Sequence, residues 1–163
     1  MTAPAETPHD IAHYVPHRGT LLLLDRLLAV DDQAARAELT VREDSPFARD
    51  GAVPAWVGIE YMAQTIAAWA GARARAAGRE PGIGYLLGSR RYMPHCPRFP
   101  AGQVLHISAR CELIGDNGLG QFDCHIRDAH GQLLAEAMVS VFEPPPEGAG
   151  TGPATPHEGA ATP

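Results

Sequence analysis

The sequence predicts an α+β domain in which one long helix packs against an antiparallel sheet. A single Ala-rich segment has helical spacing, strand-like segments lie on both sides of it, and turn signals separate the later strands. Of the 163 residues 45% are hydrophobic, which is enough for one domain with its own core. A helix set among antiparallel strands is an α+β arrangement.

The strands are predicted from apolar runs and alternation. Residues 21–30 and 35–41 form a predicted hairpin around Asp31 and Asp32. Four further strands are expected at residues 83–93, 103–114, 121–128 and 133–142. Residues 115–118 and 129–131 are typical of the turns between the last three.

The helix is predicted to begin at Pro54 and to end at Gly78. Proline suits the first turn of a helix, and glycine is a common stop signal. Its first four turns are apolar on nearly every side, so we expect the helix to be buried. Apolar side chains recur at helical spacing at Trp56, Ile59, Ala63, Ile66, Ala67 and Ala70.

The two ends of the chain differ in composition from its middle. Residues 144–163 are mainly Pro, Gly, Ala and Thr and cannot bury enough surface to order themselves, so a disordered tail is expected there. Residues 1–9 are expected to be flexible. The folded domain is therefore predicted to span residues 10–143.

Composition and charge exclude several function classes. The chain has thirteen basic residues, all arginine, and nineteen acidic residues, which gives a formal net charge of −6. Because nucleic-acid binding needs many cationic side chains to neutralise phosphates, we expect none. The apolar run at residues 66–72 is far shorter than the roughly 20 residues of a membrane span. The N-terminus shows no signal peptide, and Cys96, Cys111 and Cys124 have no metal-ligand spacing, so a cytoplasmic protein with reduced thiols is expected.

Glu60 and Gln64 lie four residues apart and therefore on one face of the helix. Burying a carboxylate among apolar residues is costly, and desolvation would raise its pKa, which suits a general acid. The alternative is that Glu60 faces solvent or pairs with an arginine. His9, His13 and His17 have metal-like spacing, but Pro16 interrupts the helix they would need, so we predict no metal and no cofactor.

Arginines cluster near the predicted third strand, at Arg90, Arg91 and Arg98. Such a cluster on an acidic protein could dock an anionic partner, and Arg49 is a weaker member of the set. The alternative is that these are ordinary solvated side chains.

Two segments in the same order resemble a known family. Residues 15–27, VPHRGTLLLLDRL, and residues 54–64, PAWVGIEYMAQ, are similar to two motifs of the 3-hydroxyacyl-acyl-carrier-protein dehydratases of the hotdog fold. The second segment is most like the dehydratase-like hotdog proteins of aryl-polyene biosynthetic clusters. The resemblance implies a hotdog fold, a long helix wrapped by an antiparallel sheet, assembled as a dimer with active sites at the interface.

The resemblance also implies roles for individual residues. Glu60 would act on the 3-hydroxyl that leaves as water, with Gln64 as its supporting neighbour. Val57, Gly58 and Tyr61 would bind substrate, because an amide at the start of the helix polarises the thioester carbonyl. The implied partners are an acyl carrier protein, docking at the arginine cluster, and another hotdog subunit.

The chain departs from the family at the catalytic histidine. The family places this base in a loop before the helix, whereas residues 47–53 contain no histidine, so it is open whether the chain is catalytic alone. Three interpretations remain: a dehydratase whose partner subunit supplies the histidine, a non-catalytic partner or scaffold that shapes the acyl tunnel or recruits carrier protein, and a thioesterase that uses Glu60 alone. The assembly would be a heterodimer with a second hotdog subunit or a homodimer. His17 matches a position near the entrance of the site and is the remaining candidate for a base.

Overall fold

The computed structural model describes residues 9–145, and one helix packs across a seven-stranded antiparallel sheet within them. The strands and the helix are β1 (His9–Asp10), β2 (Arg26–Val30), β3 (Ala34–Thr40), β4 (Ala52–Pro54), α1 (Gly58–Ala76), β5 (Tyr85–Pro94), β6 (Arg98–Pro100), β7 (Val104–Ile114), β8 (Leu119–Asp128) and β9 (Leu133–Phe142). The sheet order is β1-β2-β3-β7-β8-β9-β5, and β4 pairs with β6 separately. Short 3₁₀ turns span Ile11–His13, Gly19–Leu21 and Ala55–Val57.

The predicted α+β arrangement is confirmed, with differences at element ends. Residues 21–24 are not a strand: the 3₁₀ turn Gly19–Leu21 ends there and β2 begins only at Arg26. The helix starts at Gly58 because its first turn, Ala55–Val57, is wound as a 3₁₀ turn. Strands β1, β4 and β6 were not predicted. The predicted N-terminal segment and tail lie almost wholly outside the described residues.

Local sequence explains both the end of α1 and its burial. Gly78 has φ +73°, the N–H of Arg79 donates to the carbonyl oxygen of Ala74, and that of Gly78 to Arg75, which together form a Schellman cap. One face of α1 packs on β3, β7, β8 and β9, with Met62 and Trp69 in the core. The helix is not buried on every side, because an opposite stripe is only half-buried. That stripe consists of Ile59, Ala63, Ala67 and Ala70.

Gly71 lets α1 touch the segment that precedes the first motif. A Cβ at Gly71 would overlap the carbonyl oxygen of Tyr14. Glycine to alanine normally stabilises an exposed helix by about 1 kcal/mol. Here Gly71→Ala is expected to lower the free energy of unfolding by about 2 kcal/mol, because the core is overpacked. Urea denaturation would measure this, and a variant as stable as the wild type would contradict the contact.

Strand β5 forms one end of the described sheet, since it pairs with β9 and no other strand among residues 9–145. The pairing is interrupted by register shifts between Leu86 and Gly88 and between Arg90 and Met93. No helix in this part of the chain is long and apolar enough to cross a membrane.

Candidate active site

Glu60 and Gln64 project from one face of α1, as predicted. Gln64 is 1% exposed, and its Nε2 donates to Glu60 Oε1 at 3.2 Å and to the carbonyl oxygen of Leu21 at 2.7 Å. Its Oε1 accepts from the N–H of Leu23 at 2.9 Å. The side chain thus bonds at both ends and orients the carboxylate one turn earlier.

Residues 17–23, here called the strap, cross the first turns of α1 because of these bonds. Arg18 braces the start of the strap, since its Nη1 donates to the carbonyl oxygens of Val15 at 2.6 Å and His17 at 2.7 Å. Gly19 has φ +60°, a backbone conformation that glycine adopts without strain, and opens the 3₁₀ turn. The strap lies within the first of the two segments that resemble the dehydratase motifs, residues 15–27.

His17, at the start of the strap, meets Glu60. Its Nε2 lies 3.9 Å from Glu60 Oε1, and the two side chains are 29% and 37% exposed. His17 Nδ1 is buried and has no hydrogen-bond partner among the described residues. Within this part of the chain Glu60 therefore contacts His17 and Gln64 and pairs with no arginine. Spacing alone could not reveal this approach, since 43 residues separate the two.

Two cavities meet at the pair formed by His17 and Glu60. The first measures about 290 Å³ and lies between the strap and the start of α1. Apart from His17 and Glu60, it is lined by apolar side chains: Leu21, Leu23, Phe47, Trp56, Val57 and Ile59. The second measures about 150 Å³ and follows the half-buried stripe of α1 toward Tyr85 and Leu86 of β5. The Glu60 carboxyl group thus lies where the two cavities meet, and an apolar ligand could extend from it into either cavity.

The predicted substrate-binding residues occupy different places. Val57 lines the first cavity, whereas Tyr61 is 2% exposed and lines a separate cavity of about 290 Å³ beyond the strap. Burial raises the pKa of Tyr61 to about 12. The N–H of Gly58 already donates to the carbonyl oxygen of Ala55. A thioester carbonyl at this end would therefore have to meet an N–H earlier in the turn.

Tyr92 is a residue of the site that sequence reasoning missed. Its hydroxyl donates to the carbonyl oxygen of Ala55, and a Cβ at Gly58 would collide with this hydroxyl. Burial raises the pKa of Tyr92 well above its usual value, so the phenol stays protonated and remains a donor. Tyr92 thereby ties β5 to the first turn of α1. A lone tyrosine within an arginine-rich strand offered no signal of this contact.

The arginines of the predicted docking cluster are all exposed. Arg90 and Arg91 lie on β5, and Arg98 lies on β6. Arg49 is placed in the loop before β4, where its Nη1 donates to the carbonyl oxygen of Ala48 at 2.6 Å. The described residues contain no group of three or more His, Cys, Asp or Glu side chains that could hold a metal ion.

One family model matches most of the chain, and the matched range contains both motifs and the pair formed by Glu60 and Gln64. The ApeP-like model, described as ApeP dehydratase, matches residues 9–151. The chain belongs to the ApeP-like dehydratase family. The family resemblance predicted from the two motifs is thus confirmed.

Solved structures support this membership and the fold. The dehydratase heterocomplex ApeI:P from Xenorhabdus doucetiae contains a chain that is 31% identical, with 85% of this chain and 93% of that chain covered and a TM-score of 0.78. A hypothetical thioesterase with coenzyme A from Streptococcus pneumoniae TIGR4 is 16% identical, with coverage of 71% and 82% and a TM-score of 0.55. The E. coli PaaI protein is 13% identical, with coverage of 72% and 81% and a TM-score of 0.55. These last two show the fold alone, and the predicted hotdog fold is confirmed.

Proposed function

We propose that this ApeP-like chain is one subunit of a two-subunit hotdog dehydratase. The complex would remove water from 3-hydroxyacyl chains held on an acyl carrier protein, in biosynthesis of the aryl-polyene type. The observation that carries the proposal is the position of Glu60, held by Gln64 and next to His17 at the opening of an apolar cavity. The heterocomplex formed by the Xenorhabdus doucetiae relative supports a second subunit.

Dehydration of a 3-hydroxyacyl thioester needs one base and one acid. The base takes a proton from C2, and the electron pair of that bond forms the C2–C3 double bond while the bond from C3 to oxygen breaks. The acid donates a proton to this oxygen, which leaves as water. Protonated Glu60 is the proposed acid. An N–H at the start of α1 would stabilise the negative charge on the thioester oxygen, aided by the helix dipole.

The short distance between His17 and Glu60 favours a base that is supplied by another chain. Only 3.9 Å separates Nε2 from Oε1, so the C2–C3 unit of a substrate has no room between the two groups. Both groups would therefore lie on one side of the substrate. His17 is a positioning residue beside the Glu60 carboxyl group, and a histidine of the second subunit takes the C2 proton. The lack of a histidine in residues 47–53 agrees with this division.

The shape of the cavities supports an acyl substrate. The lining of the first cavity is largely apolar, and Phe47 and Trp56 stack edge to face beside it with ring centroids 6.0 Å apart. Along the second cavity, Ala63, Ala67 and Ala70 leave space beside α1 because their side chains are small. An extended hydrocarbon chain can lie on such surfaces and lose its contact with water.

The three cysteines are free thiols, which supports the cytoplasmic setting we propose.

The decisive experiment compares the chain alone with the chain co-expressed with the ApeI subunit of the Xenorhabdus doucetiae heterocomplex. The co-expressed pair is called the joined sample. Each sample receives a 3-hydroxyacyl carrier-protein thioester, and mass spectrometry follows the loss of one water. We expect dehydration only in the joined sample. Turnover by the chain alone would overturn the two-subunit proposal and would make His17 the base. Release of free acid without dehydration would instead indicate a thioesterase.

A substitution at His17 separates positioning from direct proton transfer. In the joined sample, His17→Gln is expected to lower kcat/KM by about tenfold to a hundredfold, because a misplaced carboxylate reacts slowly. The pH profile should also change, since glutamine places no titratable group beside the Glu60 carboxyl group. His13→Gln, an exposed histidine four residues earlier, is the matched control and should leave both measurements unchanged. An unaltered pH profile in His17→Gln would contradict this role.

A further inference from the structure

One side of the structure carries an apolar surface that the described chain leaves uncovered. On β5, Tyr85, Leu86, Leu87 and Met93 are 54%, 39%, 57% and 43% exposed. The second cavity joins this strand to the half-buried stripe of α1 and to Glu60. We call β5 and that stripe together the edge surface. An apolar surface of this kind, continuous with a site, is typical of an interface.

The middle of this surface is positively charged. Arg90 and Arg91 lie between Leu87 and Met93, and both are exposed in a chain whose net charge is −6. Arg91 has φ +57° and lies within the second register shift of β5. Charged side chains and bulges on a strand at the end of a sheet hinder pairing with a further copy of that strand. The charge therefore bears on which partner the edge surface accepts.

Pairing between two copies of this chain would bring like charges together. If β5 paired with itself around a two-fold axis and most of Tyr85–Pro94 took part, Arg90 and Arg91 would lie near the centre of the new ladder. Strands in a ladder are about 4.8 Å apart and rise about 3.3 Å per residue, so four arginine positions would fall within about 10 Å. Like charges facing one another across strands are destabilising.

We propose that the edge surface docks a hotdog subunit whose own edge strand carries Asp or Glu opposite Arg90 and Arg91. These two arginines then select that subunit over a second copy of this chain. The inference rests on the proposed function, because it names the chemistry of the second subunit. It also gives Arg90 and Arg91 a different partner from the carrier protein predicted from sequence. A strand edge flanked by exposed apolar side chains fits another sheet better than it fits a small acidic protein whose docking is mainly electrostatic.

A charge-swapped copy of this chain can act as the acidic partner. Wild type is mixed with the variant Arg90→Glu/Arg91→Glu, and sedimentation equilibrium measures the association of each protein alone and of the mixture. The mixture is expected to associate at least about tenfold more tightly than either protein alone, with the gain removed by high salt. The control, Arg79→Glu/Arg110→Glu, changes the net charge equally at exposed positions outside β5 and should bring no gain.

Each outcome decides the inference separately from the proposed function. Wild type that self-associates as tightly as the mixture, or a mixture that does not associate, would overturn the charge selection while leaving the dehydration assay unaffected. Carrier-protein binding that is lost in Arg90→Glu/Arg91→Glu, while association with the ApeI subunit persists, would assign the arginines to the carrier instead. Circular dichroism melting of each variant checks that it is folded.

Discussion

Replacing Glu60 with glutamine is expected to lower the rate of dehydration in the two-subunit complex by about 10²–10⁴-fold, the usual contribution of a positioned proton-transfer group. Glutamine has nearly the same shape, and its amide oxygen can still accept the hydrogen bond from Gln64 Nε2. It cannot donate a proton to the leaving hydroxyl as a carboxylic acid does. The loss should therefore appear in kcat, with little change in KM or stability.

The matched control for this prediction is Glu43→Gln. Glu43 is exposed in the loop after β3, so the substitution changes the net charge equally without touching either cavity at His17 and Glu60. Mass spectrometry of the acyl carrier protein in single-turnover samples would measure the chemical step directly. If the complex keeps its dehydration rate after Glu60→Gln, this subunit is a scaffold and the proposed acid is wrong.

Most of the fold could be predicted because its signals are local. The helix has Pro54 before it and Gly78 after it, and apolar residues recur at helical spacing between them. The six long strands are either continuous apolar runs or segments in which apolar and polar residues alternate. Strands β4 and β6 have only three residues each, and they pair across more than forty residues of chain. Such short segments carry no periodic pattern, and their pairing depends on where the longer elements have already placed them.

The site could be predicted only in part, for a similar reason. Glu60 and Gln64 share a helix, so their spacing was sufficient. The approach of His17 depends on the strap, whose path is set by bonds to Gln64 rather than by its own sequence pattern. Tyr92 lies within a register shift of β5 and reaches the carbonyl oxygen of Ala55, 37 residues earlier in the chain. Contacts between residues that are far apart in the chain cannot be predicted from the residue spacing within a single motif.

The bonds to the strap give Gln64 a large expected effect on stability. Gln64→Leu keeps a side chain of similar size but removes the acceptor for Leu23 N–H and the donor for the carbonyl oxygen of Leu21. Both backbone groups are part-buried, and each unsatisfied group costs about 1–3 kcal/mol. We expect the free energy of unfolding to fall by about 3 kcal/mol in urea denaturation.

A neighbouring substitution tests whether this loss belongs to the strap. Thr65→Val also removes a buried polar group of α1, but the Thr65 hydroxyl bonds only to the carbonyl oxygen of Tyr61, which the helix also bonds. Its cost should stay below about 1 kcal/mol. Hydrogen exchange at the Leu23 amide should quicken in Gln64→Leu and not in Thr65→Val. If Gln64→Leu matched the control in stability and kept that amide protected, the strap would be held by its apolar contacts, and Gln64 would serve only to orient Glu60.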